Sequence, residues 1–137
     1  MVKPLKVGVK SLVEAARREI KEYTAQEAVA LATDPGVLLV DIRDPRELAR
    51  DGRIPGALHA PRGMLEFWID PDSPYFKPVF GEDKTFVFFC AGGLRSALTA
   101  KTLQDMGLAP IAHIQGGFAA WKEAGGAIEA VPPKPDR

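Results

Sequence analysis

Phe86-Val87-Phe88-Phe89-Cys90-Ala91-Gly92-Gly93-Leu94-Arg95-Ser96 is the stretch that decides how this chain folds. Residues 86–89 are apolar without polar alternation, the pattern of a strand covered on both faces, so they belong at the centre of a parallel sheet. Beyond the glycine pair, Leu94, Ala97, Leu98, Leu103 and Met106 recur at helical spacing, and Gly107 and Pro110 stop the helix they predict. A strand that runs through a small-residue loop into a helix is where open α/β sheets place their sites.

Working toward the N-terminus, residues 37–40 are a second unbroken apolar run, preceded by the turn Asp34-Pro35-Gly36. After it, Asp44, Pro45 and Glu47 supply a cap, a first-turn proline and a third-position acid for a short helix over 45–50 that closes near Gly52. Thr24 and Glu27 have capping-box spacing ahead of a helix at 28–31. Ser11 and Glu14 repeat that spacing, and Leu12, Val13, Ala16, Ile20 and Tyr23 give a helix over 11–23 one apolar side. That side packs on the domain or forms a dimer contact. Between the apolar strands, 57–60 reads as a short strand and 63–69 as a short helix. Residues 70–84, with Pro71, Pro74, Pro78 and Gly81, are too interrupted for regular structure. Residues 111–114 form the last strand and 118–124 the last helix. Strands alternating with helices predict an α/β fold with a parallel sheet covered on both sides.

At 137 residues the chain is one domain's worth. Its single Cys excludes an intrachain disulfide framework and an all-thiolate zinc site, and fits a reducing, cytoplasmic setting. Eighteen basic residues balance eighteen acidic ones, which argues against bulk affinity for nucleic acid or a membrane surface. No run approaches the ~20 apolar residues of a membrane span, and residues 1–10 lack a signal-peptide core. His59 and His113 stand at no metal-ligand spacing and read as packed or surface residues, so no metal is expected. Gly116 and Gly117 lack the third glycine of a dinucleotide fingerprint and read as a tight turn, so no cofactor is expected.

Position nominates Cys90 as a nucleophile. Small residues let the loop curl so that backbone N–H groups point inward, an anion-holding nest at a helix start. Those amides, the positive helix end and the Arg95 guanidinium all favour charge on the sulfur. The alternative is an inert, buried Cys at a strand end. Arg95 either contacts an anionic donor or makes a surface ion pair, and Ser96 either caps the helix or donates to the sulfur. Asp41 and Arg43 read as a bracing set for the loop and Glu47. Arg62, Glu66, Phe67 and Trp68 line the mouth, or the aromatics among them only fill core.

These residues, taken in order, resemble the rhodanese-like sulfurtransferases. The resemblance spans residues 22–129 and rests on Leu39-Val40-Asp41-Ile42-Arg43-Asp44 ahead of Glu47, on Gly52-Arg53-Ile54-Pro55-Gly56-Ala57, on Pro61-Arg62-Gly63, on the loop 90–96, and on Ile114-Gln115-Gly116-Gly117-Phe118 with Trp121. It implies a single domain over 22–130 with about five parallel strands and helices on both faces; outside the resemblance lie an N-terminal helical extension (1–21) and a tail (131–137) that Pro132, Pro133 and Pro135 mark as flexible. It places the catalytic Cys at Cys90 and the persulfide-binding loop at Ala91, Gly92, Gly93, Leu94, Arg95 and Ser96. The implied chemistry is transfer of a sulfane sulfur from thiosulfate or a persulfide to cyanide or a thiol, through a Cys90 persulfide.

With no second Cys to resolve that persulfide, the acceptor must come from outside, a free thiol, cyanide or a sulfur-relay protein. Related phosphatases and arsenate reductases separate Cys and Arg by five residues. Here four intervene, Ala91 to Leu94, and the smaller ring suits a single sulfur atom. A redox-sensing or docking module is an alternative of another class. Thiosulfate-specialised members carry basic residues directly after the Cys. Uncharged Ala91, Gly92 and Gly93 therefore predict low affinity for thiosulfate and a reaction that improves with thiol acceptors.

Overall fold

The computed structural model describes residues 2–132. Its strands are β1 (Lys21–Tyr23), β2 (Val37–Asp41), β3 (Leu58–His59), β4 (Thr85–Phe89) and β5 (Ile111–Ile114). They make one parallel sheet in the order β1-β5-β4-β2-β3, with the Phe-rich strand in the middle. The helices are α1 (Val9–Glu19), α2 (Ala25–Leu31), α3 (Pro45–Asp51), α4 (Leu65–Ile69), α5 (Leu94–Asp105) and α6 (Gly117–Glu123).

The unalternating pattern of β4 follows from two buried faces. Phe86 and Phe88 enter a cluster with Val13 and Ala16 of α1 and Ala97, Ala100 and Leu103 of α5. Val87 and Phe89 enter the opposite one, with Ala25 and Ala28 of α2 and Phe118 and Trp121 of α6. Burying each such side chain is worth about 1.5–3 kcal/mol, so a polar residue on either face would be penalised. Cys90 continues the alternation past the end of β4, on the α1/α5 side.

Both internal capping boxes form. Thr24 Oγ1 accepts from Glu27 N at the start of α2. Asp44 caps α3 while Glu47 Oε2 accepts from Asp44 N at 2.9 Å.

Three expectations are corrected. The N-terminal helix begins at Val9 with Gly8 as its cap, so Ser11 lies inside the helix and makes no cap. Nor does that helix reach Tyr23. It stops at Glu19, Ile20 turns to extended backbone (φ −113°, ψ 157°), and 21–23 pair with β5. Hydrogen bonds to the otherwise open edge of β5 outweigh another helical turn. The Pro-rich stretch 70–84 holds one 3-10 turn, Pro78–Gly81, which buries Phe80 against Phe86 with ring centroids 5.4 Å apart.

The apolar side of α1 is covered within the chain only in part, since Val9 and Leu12 stay exposed. Val13 and Ala16 are buried, Gln104 Nε2 donates to Glu19 O at 2.7 Å, and Lys101 pairs with Glu19. The expected tail lies largely outside the described residues, which end at 132. No helix of the described residues is long and apolar enough to cross a membrane.

Candidate active site

The loop after β4 folds its own backbone around a sulfur atom. Gly93 N donates to Cys90 Sγ at 3.1 Å and Ser96 N at 3.4 Å, both from the first residues around the start of α5. Gly93 holds φ +97° as the helix cap, a conformation other L-residues rarely adopt, and this aims its N–H at the sulfur. The positive end of the twelve-residue α5 adds to the field there. Cys90 is 1% exposed, while Gly92 and Leu94 are exposed on the rim.

From below, the turn between β5 and α6 holds the loop. Phe118 N donates to Cys90 O at 2.8 Å and Ala119 N to Ala91 O at 3.1 Å. That approach requires glycine at 117, where φ is +59° and a Cβ would stand 2.4 Å from Cys90 O.

A line of polar side chains runs from the sulfur to the sheet edge. Ser96 Oγ lies 3.6 Å from Cys90 Sγ and 2.9 Å from His113 Nδ1, and His113 Nε2 lies 2.8 Å from Glu22 Oε2. Arg17 closes the line, its Nε donating to Glu22 Oε2 at 2.8 Å. Burial lowers the pKa of His113 against the opposing pull of Glu22. Burial also raises that of Glu22, but hydrogen bonds from Arg17 and His113 outweigh it and the net shift is down.

On the other side of the loop, Arg95 makes a bidentate pair with Glu47, both contacts at 2.9 Å. Its pKa is raised chiefly by Glu47, with smaller contributions from Cys90.

The sequence model of the Rhodanese-like domain matches residues 24–124, the greater part of the chain and all of this site except Glu22 and Arg17. The chain belongs to the rhodanese-like domain family. A sulfurtransferase of Allochromatium vinosum is 34% identical over 95 residues, 69% of this chain and 80% of its own. The thiosulfate:glutathione sulfurtransferase of Homo sapiens is 31% identical over 91 residues, 62% of this chain and 78% of its own. Among solved structures, a protein of unknown function from Rhodopseudomonas palustris, described as a possible tyrosine phosphatase, superposes with a TM-score of 0.91. It is 59% identical over 94% of this chain and 99% of its own.

Within this rhodanese-like domain the other singled-out residues fall into two groups. Asp41 and Arg43 form a buried ion pair at 2.8 Å, and Arg43 also donates to Gly52 O and lies 4.0 Å over the Phe118 ring. They brace the underside, through Phe118, while Glu47 is held by Arg95. Arg62 is exposed in a 3-10 turn, and Trp68 packs on the core with Lys77 Nζ 4.7 Å from its ring. Among the described residues neither hydrogen-bonds to the Cys90 loop.

His113, Glu22 and Arg17 are the residues that sequence reasoning missed. Glu22 stands 91 positions from His113, and only the parallel register Glu22↔His113 of an edge strand brings them side by side.

The Glu47 carboxyl is held down at about 2 from an ordinary 4.5, first by its hydrogen bonds to Arg95. A lowered carboxyl pKa stabilises the fold fully above the unfolded value and loses that contribution as pH falls through the folded one. Glu47→Gln should therefore be less stable than the native protein by about 1 kcal/mol above roughly pH 5, solvent screening the part-exposed Arg95. Urea unfolding across pH checks this. The difference should shrink steadily between pH 4.5 and 2, and a pH-independent difference would contradict it.

Proposed function

We propose that this domain is a sulfurtransferase that carries a sulfane sulfur on Cys90. The observation that carries the reading is the pair of backbone N–H groups aimed at Cys90 Sγ in a loop with four residues between Cys90 and Arg95. Relatives named as sulfurtransferases support it.

In the first half-reaction the Cys90 thiolate attacks the outer sulfur of thiosulfate. A new S–S bond forms, the S–S bond of the donor breaks with its electron pair on sulfite, and Cys90 carries a persulfide. In the second, cyanide or a thiolate takes the terminal sulfur and the Cys90 thiolate returns. Main-chain donors suit this task, since they stabilise negative charge on whichever sulfur occupies the loop without themselves titrating. The acceptor comes from outside, because the chain has no second Cys. Glutathione, named in the human relative, is one such thiol, and a sulfur-relay protein is another. A reducing cytoplasm, which keeps the lone thiol free, belongs to the same reading.

Phosphate-ester hydrolysis is the second reading, favoured by the Rhodopseudomonas palustris structure. One pair of assays separates the two. With thiosulfate, the purified protein should release sulfite slowly and saturate only at high concentration. The weak affinity follows from Arg95, the one Arg of the loop, being already paired with Glu47; thiol acceptors should speed the reaction. Phosphate release from an aryl phosphate should match that of Cys90→Ala. Phosphate release that depends on Cys90, with no sulfur transfer, would overturn the proposal.

A further inference from the structure

The buried imidazole beside the loop has no role in the half-reactions above, yet its hydrogen bonds define one. A carboxylate can only accept, so the 2.8 Å contact of Glu22 Oε2 with His113 Nε2 fixes the proton of the neutral ring on Nε2. Nδ1 is then an acceptor, and the 2.9 Å contact there commits the Ser96 hydroxyl proton to it. What Ser96 Oγ turns toward Cys90, at 3.6 Å, is a lone pair. The contacts thus run in one direction, Cys90 S–H to Ser96, Ser96 O–H to His113, His113 N–H to Glu22, with Arg17 donating to Glu22 at the far end.

We propose that His113 is the proton acceptor for the Cys90 thiol, acting through Ser96, and that Glu22 positions it for that task. As the proton leaves, the Cys90 S–H bond breaks with its electron pair on sulfur, Ser96 Oγ gains that proton, and the proton Ser96 held passes to His113 Nδ1. The product is a thiolate and an imidazolium. Ser96 O–H now points at the sulfur and donates to the thiolate, while both ring nitrogens donate, to Ser96 and to Glu22.

Burial supports this order. The His113 side chain is 1% exposed, whereas that of Glu22 is 23% exposed at the sheet edge, beside a cavity of about 90 Å³ lined by Arg17, Glu22, Gly93, His113 and Gln115. The line therefore joins a buried thiol to solvent. The groups facing the ring are Glu22 from β1, Arg17 from α1 through Glu22, and Ser96 from α5. Burial is the main cause that lowers the pKa of the ring against the pull of Glu22, and Arg17 adds a smaller push in the same direction.

The inference rests on the reading of Cys90 as the working nucleophile, but its test does not need sulfur transfer. The ultraviolet absorbance of the thiolate is titrated with pH in the native protein and in Ser96→Ala, His113→Gln and Glu22→Gln, each against the same protein carrying Cys90→Ala. Circular dichroism reports the fold. Each of the three changes should move the thiolate midpoint up by about one pH unit, a tenfold loss of thiolate below it. Glu22→Gln keeps the side-chain shape at a part-exposed position while it removes the charge and one of the two acceptor oxygens, so it remains informative if His113→Gln fails to fold. Folded Ser96→Ala and Glu22→Gln proteins whose titrations coincide with that of the native chain would overturn the relay, even if the native protein loads sulfur. Shifted midpoints in a protein that never loads sulfur would uphold the relay and remove the sulfur-transfer reading.

Discussion

Gly117→Ala is expected to destabilise the domain by about 2–4 kcal/mol and to remove at least nine-tenths of its sulfur-transfer activity. The new methyl would stand 2.4 Å from Cys90 O and 2.9 Å from Ala91 backbone atoms, and none of these is the movable end of a side chain. The φ of +59° is a second penalty, because an L-residue there is strained whatever the space around it. Relief requires the turn to back away, which breaks the bonds from Phe118 N to Cys90 O and from Ala119 N to Ala91 O. The loop then loses its support from below, and the Gly93 amide its aim. Thermal unfolding together with sulfite release checks both halves. A variant with native melting temperature and native rate would show that the turn does not hold the loop.

Cys90→Ser is the second large effect. Its hydroxyl replaces a small, 1% exposed thiol among donors that remain in place, so stability should change by less than about 1.5 kcal/mol. Turnover with thiosulfate should fall on the order of 10⁴-fold or more, since an alcohol is far less acidic than a thiol and a far poorer nucleophile toward sulfur, even with His113 at hand. Sulfite release that survives in a folded Cys90→Ser protein would place the chemistry elsewhere.

The sequence carried the parts of this molecule that are local in the chain. Residues 86–89 announced a central strand because both of its faces are buried, and Thr24/Glu27 and Asp44/Glu47 announced two helix starts that form as capping boxes. The loop 90–96 was legible for the same reason, since its small residues and its Cys adjoin in sequence. What could not be read are contacts made by register.

The three residues of β1 look like the end of a helix until β5 lies beside them, and with β1 unseen there was no reason to set Glu22 against His113. The pairing of Arg95 with Glu47 likewise spans 48 positions and follows from α3 and α5 both starting at the carboxyl edge of the sheet. Ser11 and Glu14 matched a capping pattern that was not used, because the helix continues one turn back to Gly8. Local pattern shows where helices and strands start, but the partners of a buried histidine depend on which strand lies at its flank.

Sulfur transfer by this domain requires the Cys90 loop to hold a transferable sulfur atom. Intact-mass spectrometry of the full chain after incubation with thiosulfate tests it most directly. A mass gain of one sulfur atom is expected, lost on adding cyanide and never seen in Cys90→Ala. No gain in the native protein, or a gain that persists in Cys90→Ala, would contradict it.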